Sequence, residues 1–214
     1  SVLNTTYKSP ENGATNIANP ILTWNYNGTP DYYQVLMGTA ENELVAKTEW
    51  LAAEGTGGTF QTENLNNTTR YYWQVNIKNG ETVMEGEIWS FVTTLPAPTN
   101  VTATPENVYP RNTYPYNAVA TVTWDAIANA TYNVYLNGEK YNTEALTTNT
   151  CDVILAYNMD PGHSIQVTAI YTELGESEKS EAANVKVTGY VNVNGYVKDE
   201  TGNAIEGATV TLVG

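Results

Sequence analysis

The sequence predicts an all-β chain in which two tandem β-sandwiches are followed by a partial β-hairpin. Three observations carry that prediction. Tyrosine (16) and tryptophan (5) far outnumber phenylalanine (2), and valine, threonine and asparagine are plentiful. Aromatic and β-branched side chains suit half-buried pleated surfaces, while asparagine and glycine suit turns. Apolar and polar residues alternate with period two almost throughout, and no segment sustains a helical period of roughly 3.6 residues over several turns. Finally, the order of alternating segments in the first half returns in the second, an internal repeat of one architecture.

The first half offers PILTWNY, DYYQVLMGT, GTFQT, RYYWQVNIKNG and EIWSFVTT. In RYYWQVNI the residues Tyr71, Trp73, Val75 and Ile77 fall on one face, and Tyr72, Gln74 and Asn76 on the other. Leu22 with Trp24, Tyr33 with Val35, and Trp89 with Phe91 behave alike. Two facing sheets with such stripes bury a sandwich core about 10 Å thick. The stretch Leu44 to Leu51 has ragged spacing and reads as an edge strand or a single turn. LPAPTN, with two prolines in a short polar run, is a stiff linker. Beyond it NAVATVTWDA answers PILTWNY, ATYNVYLNGE answers DYYQVLMGT with Asn137-Gly138 as its hairpin turn, and HSIQVTAIYTELGES answers RYYWQVNIKNG. EAANVKVTGY closes the set.

Composition narrows the function classes. At 214 residues, 41% hydrophobic and 15% charged, the chain can build one or two cores. A net charge of −14 is spread along its length. With no basic stripe, nucleic acid is excluded as a partner, and an anionic membrane surface would repel the chain. No stretch reaches the roughly 18 apolar residues of a membrane span, so membrane insertion is not expected. The single cysteine, Cys151, excludes an intrachain disulfide. In TCDVILAY it shares a strand face with Val153 and Leu155, which reads as a small buried hydrophobe. The single histidine, His163, heads a strand beside Pro161-Gly162 and reads as a turn or packing residue. One His and one Cys cannot fill a zinc site, and no phosphate or dinucleotide loop is present. Catalysis, metal and cofactor are therefore not expected. The turn DETGN, Asp199 to Asn203, is the nearest approach to a calcium loop, yet the same letters are what a β-turn needs.

Both halves resemble immunoglobulin-like sandwiches of the fibronectin type III family. The first carries Trp24 on its early strand, and Leu65 stands six residues before Tyr71, the spacing of that family's tyrosine corner. The second has APTNVTATPE as its opening strand, then Trp124, and a closing run through Val167, Ala169, Gly175, Ser177 and Ser180 similar to the family's. It departs at the corner, where His163 takes the tyrosine's place. TYNVYLNG and VTAIYTELGESEKS are similar to modules of bacterial surface proteins, including gingipain-type adhesin regions. NVNGYVKDETGNAIEGATVTLVG resembles the start of a carboxypeptidase regulatory-like (transthyretin-like) domain through Asp199, Gly202, Ile205, Gly207 and Ala208, with Ala204 where proline is usual.

These readings divide the chain at 1–95, 96–189 and 190–214. The resemblance implies a non-catalytic spacer or adhesion pair within a larger secreted or surface-anchored bacterial protein. Its partners would be the other domains of that protein and a host or cell-surface protein or glycan. The alternatives are a carbohydrate-binding accessory module or the accessory region of a secreted peptidase. Candidate ligand-binding residues are Tyr109, Arg111, Tyr114 and Tyr116 in the long loop PENVYPRNTYPYN, and Trp50 in TEWLAAEG. Tyrosine and tryptophan offer flat amphipathic area at low entropic cost.

Overall fold

The computed structural model describes residues 3–106, 117–157, 159–188 and 195–211, and every regular element among them is a strand. The first half forms β1 (Asn4–Ser9), β2 (Ile21–Asn27), β3 (Tyr32–Gly38), β4 (Val45–Ala46), β5 (Leu51–Ala52), β6 (Gly57–Gln61), β7 (Arg70–Asn79), β8 (Thr82–Met84) and β9 (Trp89–Val92). One sheet has the order β1-β2-β6. The other centres on β3 and β7, with β4 and β5 flanking β3, and β8 and β9 flanking β7. The ragged segment around Leu44–Leu51 is thus two short edge strands.

The second half forms β10 (Thr102–Glu106), β11 (Asn117–Thr123), β12 (Ala130–Leu136), β13 (Glu139–Lys140), β14 (Thr150–Ala156), β15 (His163–Tyr171), β16 (Gly175–Glu176) and β17 (Ala183–Val185). Its sheets are β10-β11-β14 and β13-β12-β15, the latter finished by β16 and β17. All strand ladders are antiparallel. Each half is therefore a pair of facing antiparallel sheets with the same strand order, which defines tandem immunoglobulin-like β-sandwiches.

The alternation foreseen in the sequence sets the cores. Trp24, Val35, Trp73, Val75 and Phe91 lie within the first, and Val122, Val134, Leu155, Ile165 and Val167 within the second. Val35 sits opposite Val75, and Val134 opposite Val167. Superposing those two pairs places Tyr33 on Tyr132 and Tyr71 on His163. Trp24 lies 5.3 Å from the Tyr33 ring, and Trp124 lies 5.2 Å from that of Tyr132, so both halves wedge an indole against the same neighbour. At Asn137 and Gly138 both φ angles are positive, 52° and 91°, the primed turn that matches strand twist.

Two features of the first module go beyond the sequence reading. After β1 the chain crosses between sheets, and Ala14 bridges Phe91 in parallel while Gly13 and Ile17 donate to Ser90 and Val92 carbonyls. Gln74 and Asn76, on the polar face of β7, are buried as well. They bond Gly86 as it passes over them, through the Gln74 amide to its carbonyl at 2.7 Å and through its N–H to Asn76 at 3.2 Å.

Candidate functional site

The densest set of polar contacts between the halves lies where they meet. Leu95, in the linker, is 2% exposed and joins the second core together with Val92. Asn16 holds the linker from the first module: it adopts a φ of 59°, a conformation asparagine tolerates. Its Oδ1 accepts from the Leu95 N–H at 3.0 Å, and its Nδ2 donates to the Glu176 carbonyl at 2.9 Å. Arg70 reaches the Glu173 carbonyl at 2.7 Å. From the second module the Tyr171 hydroxyl donates to the Pro96 carbonyl at 2.7 Å. Gly175 has a φ of 124°, the backbone conformation that favours glycine, and a Cβ there would stand 3.3 Å from the Thr15 methyl, which would have to shift slightly.

Glu176 connects this seam to the sheet face. Its carboxylate accepts from Asn133 Nδ2 at 2.9 Å, the Tyr135 hydroxyl at 3.1 Å and the Thr168 hydroxyl. Burial pushes its pKa upward, but the three donors outweigh burial and hold the carboxyl below its ordinary value. The Lys179 ammonium lies 4.2 Å from the Tyr135 ring centre, close enough for a cation–π contact.

The serines of the closing run have a direct structural use. Ser177 and Ser180 accept from the N–H groups of Ala169 and Val167, each at 2.9 Å, through their hydroxyls. Their own N–H groups donate to the carbonyls of the same two residues at 2.8 and 2.9 Å. The side of β15 that lacks a full strand partner is thereby satisfied. The result is a rigid support for the seam, and it offers no nucleophile paired with a base.

Of the ligand-binding candidates singled out in the sequence, only Trp50 falls among the described residues. Tyr109, Arg111, Tyr114 and Tyr116 lie outside the described residues. Trp50 is half-buried on the approach to β5. His163 is buried, and its Nε2 donates to the Ala156 carbonyl at 2.8 Å, which leaves Nδ1 to accept from Asn137 at 3.1 Å. Both ring nitrogens are spent on structure. Cys151 is half-buried against the second core, and burial, reinforced by Asp152, pushes its thiol up. The Asp199 carboxylate accepts from the Asn203 and Thr201 N–H groups, both at 2.9 Å, and from the Thr201 hydroxyl at 2.8 Å. Those bonds, the Asn203 N–H first, lower its pKa. Its donors are those of a β-turn. Among the described residues no group of three His, Cys, Asp or Glu could hold a metal, and no helix is long and apolar enough to cross a membrane.

The sequence reading missed Asn16 and Arg70 as seam residues. The available signal was the Gly-, Asn- and Pro-rich run GATNIANP, in which an asparagine commonly takes positive φ and lends its side chain to nearby backbone.

No family model matches the chain, and neither does any curated protein sequence. Among solved structures it is similar to a segment of two fibronectin type III domains from chicken tenascin. The identity is 13%, the alignment covers 87% of this chain and 100% of that one, and the TM-score is 0.42. It is also similar to the chicken CNTN1 FN1–FN3 domains (15% identity, 84% and 66% covered, TM-score 0.32). A third similarity is to the human OSCAR ligand-binding domain (13%, 86% and 97%, TM-score 0.34). Superpositions this loose leave the class, tandem immunoglobulin-like sandwiches, resting on the chain's own ladders.

Proposed function

We propose that the chain is a non-catalytic spacer and adhesion pair of a larger secreted or surface-anchored bacterial protein. The domains would run 1–95 and 96–189, with the segment 190–214 opening a carboxypeptidase regulatory-like unit. The seam carries this reading. Asn16, Arg70 and Tyr171 tie the linker and both modules together by backbone-directed hydrogen bonds, while Leu95 is buried in the second core. An inter-domain contact with so many specific bonds opposes the free motion that is the default for linked domains. A stiff pair holds attached domains at a set reach, and its edges and loops remain free to engage a cell-surface protein or glycan.

Small-angle scattering with limited proteolysis tests the spacer. The expected result is a single narrow distance distribution and slow cleavage across Leu95–Asn100. The double variant Asn16→Ala with Arg70→Ala broadens that distribution and speeds cleavage while each module stays folded. A wild-type chain whose modules tumble independently would refute the proposal.

A further inference from the structure

The corresponding sheet edges of the two modules are finished differently. In the second module the outward backbone of β14 meets side chains of its own module. The Ile154 N–H donates to the Tyr141 hydroxyl at 3.1 Å, and the Ala156 carbonyl accepts from His163 at 2.8 Å. Leu146 exchanges backbone bonds with Tyr132, so the crossing segment that carries Tyr141 is tied to both sheets. In the first module the crossing segment pairs only with β3, as β4 and β5, and β6 ends its sheet.

The register states which groups β6 leaves open. The Tyr26 N–H donates to the Thr56 carbonyl, and the Thr62 N–H to that of Pro20. Gly58 and Phe60 therefore bond β2, and the backbones of Gly57, Thr59 and Gln61 point outward. Among the described residues none of these outward N–H and carbonyl groups has a hydrogen-bond partner. The Thr59 and Gln61 side chains lie opposite Thr23 and Ile21, on the face turned away from the core. On that face Pro10, Ile17, Pro20 and Ile21 line an open depression of about 760 Å³ that reaches Thr59 and holds one charged side chain, Glu11. Unpaired backbone beside a place for alternate side chains is the surface that strand addition uses.

Charge decides between occupants. β6 itself, GGTFQ, carries none. Glu54 and Glu63, both exposed, flank its two ends, and neither forms an ion pair among the described residues. Lys47 and Glu63 both line the smaller depression on the core-facing side of β6, which leaves no net positive charge there. Two copies paired antiparallel through β6 about Thr59 would set Glu63 of one beside Gly55 and Glu54 of the other. Each copy carries a net charge of −14, so like charges oppose self-association at this edge. A segment with cations at its ends meets attraction at both.

We propose that β6 is the docking edge for an extended segment of a partner protein, with β-branched apolar residues at alternate positions and Lys or Arg at both ends. The segment continues the antiparallel order of the sheet, and its residues opposite Gly57, Thr59 and Gln61 exchange backbone hydrogen bonds with them. The side chain opposite Thr59 falls on the outer face and enters the depression beside Ile21, while the terminal cations reach Glu54 and Glu63. This deepens the adhesion half of the proposed function and rests on it for the kind of partner. The scattering test reads the seam alone, so either can fail without the other.

The probe is a peptide capped at both ends, Lys-Val-Thr-Val-Thr-Val-Lys, titrated into the full chain with amide hydrogen exchange followed at Gly57, Thr59 and Gln61. The expected result is saturable binding that slows exchange at these three amides and weakens as salt rises. The same peptide with Glu in place of both lysines should bind at least about tenfold more weakly. Thr59→Pro removes an N–H that has no partner within the chain, a change edge strands tolerate, and should weaken binding by at least about tenfold. Glu54→Gln with Glu63→Gln alters only exposed side chains and should weaken it about threefold. No saturable binding, protection away from β6, equal binding of the two peptides, or binding unchanged in both variants would overturn the proposal. Concentration-dependent protection of the same amides without peptide would assign the edge to a second copy, and would overturn it as well.

Discussion

In the first module the buried N–H of Val75 donates to the phenol of Tyr7 at 2.8 Å. At the matching place in the second, the N–H of Val167 donates to the hydroxyl of Ser180 at 2.9 Å. The two valines occupy the same register position, so one backbone need has been met from opposite ends of the sequence. Tyr7 arrives from the opening strand, with its ring stacked 4.4 Å from that of Trp73, whereas Ser180 arrives from the closing run. The sandwich fixes which backbone groups lack strand partners, and leaves open which side chain supplies the missing bond.

The sharpest break in the comparison concerns what stands opposite each early tryptophan. Trp24 pairs with Gly58, and a Cβ there would lie 2.4 Å from the indole. Trp124 instead faces Asn149, whose amide caps the Trp124 carbonyl at 2.7 Å. Gly58→Val is expected to destabilise the first module by about 3 kcal/mol through overpacking. Asn149→Ala should cost the second about 1 kcal/mol, the worth of one hydrogen bond. Denaturant unfolding followed by tryptophan fluorescence checks this, and equal losses would mean that the glycine is not needed for the indole.

Next in size is the Tyr7 and Ser180 pair. Tyr7→Phe strands the Val75 N–H and frees the Glu87 carbonyl that Tyr7 also contacts at 2.5 Å, for about 2 kcal/mol. Ser180→Ala strands one N–H and is expected to cost nearer to 1 kcal/mol. The two also separate by pH. Burial foremost pushes the Tyr7 phenol from 10.0 up to about 12. The folded state therefore holds this proton more tightly than the unfolded state does. Its contribution is whole below pH 10 and is lost as pH rises toward about 12. Wild type and Ser180→Ala should show the same alkaline loss, and Tyr7→Phe a shallower one, since burial also raises Tyr26, Tyr135 and Tyr171; a Tyr7→Phe variant with the same alkaline slope would remove the assignment.

These contrasts mark where the sequence could be read and where it could not. Strand faces were legible because alternation is a local property, and Tyr71, Trp73, Val75 and Ile77 are all buried as the pattern requires. The Asn137-Gly138 turn was legible because its backbone conformation selects those residues. Burial of Gln74 and Asn76 was not, since it depends on Gly86, a glycine whose added Cβ would meet the Val75 carbonyl at 2.3 Å. Nor was the seam: Asn16 and Glu176 are 160 positions apart, and no spacing rule links them. Ser177 and Ser180 could be seen as a family-like pattern, but their purpose emerges only from the amides they meet.

The smallest expected effect tests the corner. Tyr71 and His163 share a register position, yet the bonds they make differ in reach. The Tyr71 hydroxyl accepts from the Asn66 N–H at 3.1 Å, a contact within its own approach loop. His163 instead joins the end of β14 to the hairpin at Asn137, so its ring spans the two sheets. Tyr71→Phe loses one bond at a loop that water can reach, for about 1 kcal/mol or less. His163→Phe leaves the Ala156 carbonyl and the Asn137 amide, both on exposed residues that water can reach, without their partner and should likewise cost about 1 kcal/mol. His163→Tyr decides whether the position accepts either chemistry. If the fold simply needs a polar ring there, the tyrosine variant recovers most of the loss, with faster amide exchange confined to the β14 edge. If it needs both ring nitrogens, His163→Tyr is no better than His163→Phe, and the tyrosine hydroxyl does not bridge the Ala156 carbonyl and the Asn137 amide as the imidazole does.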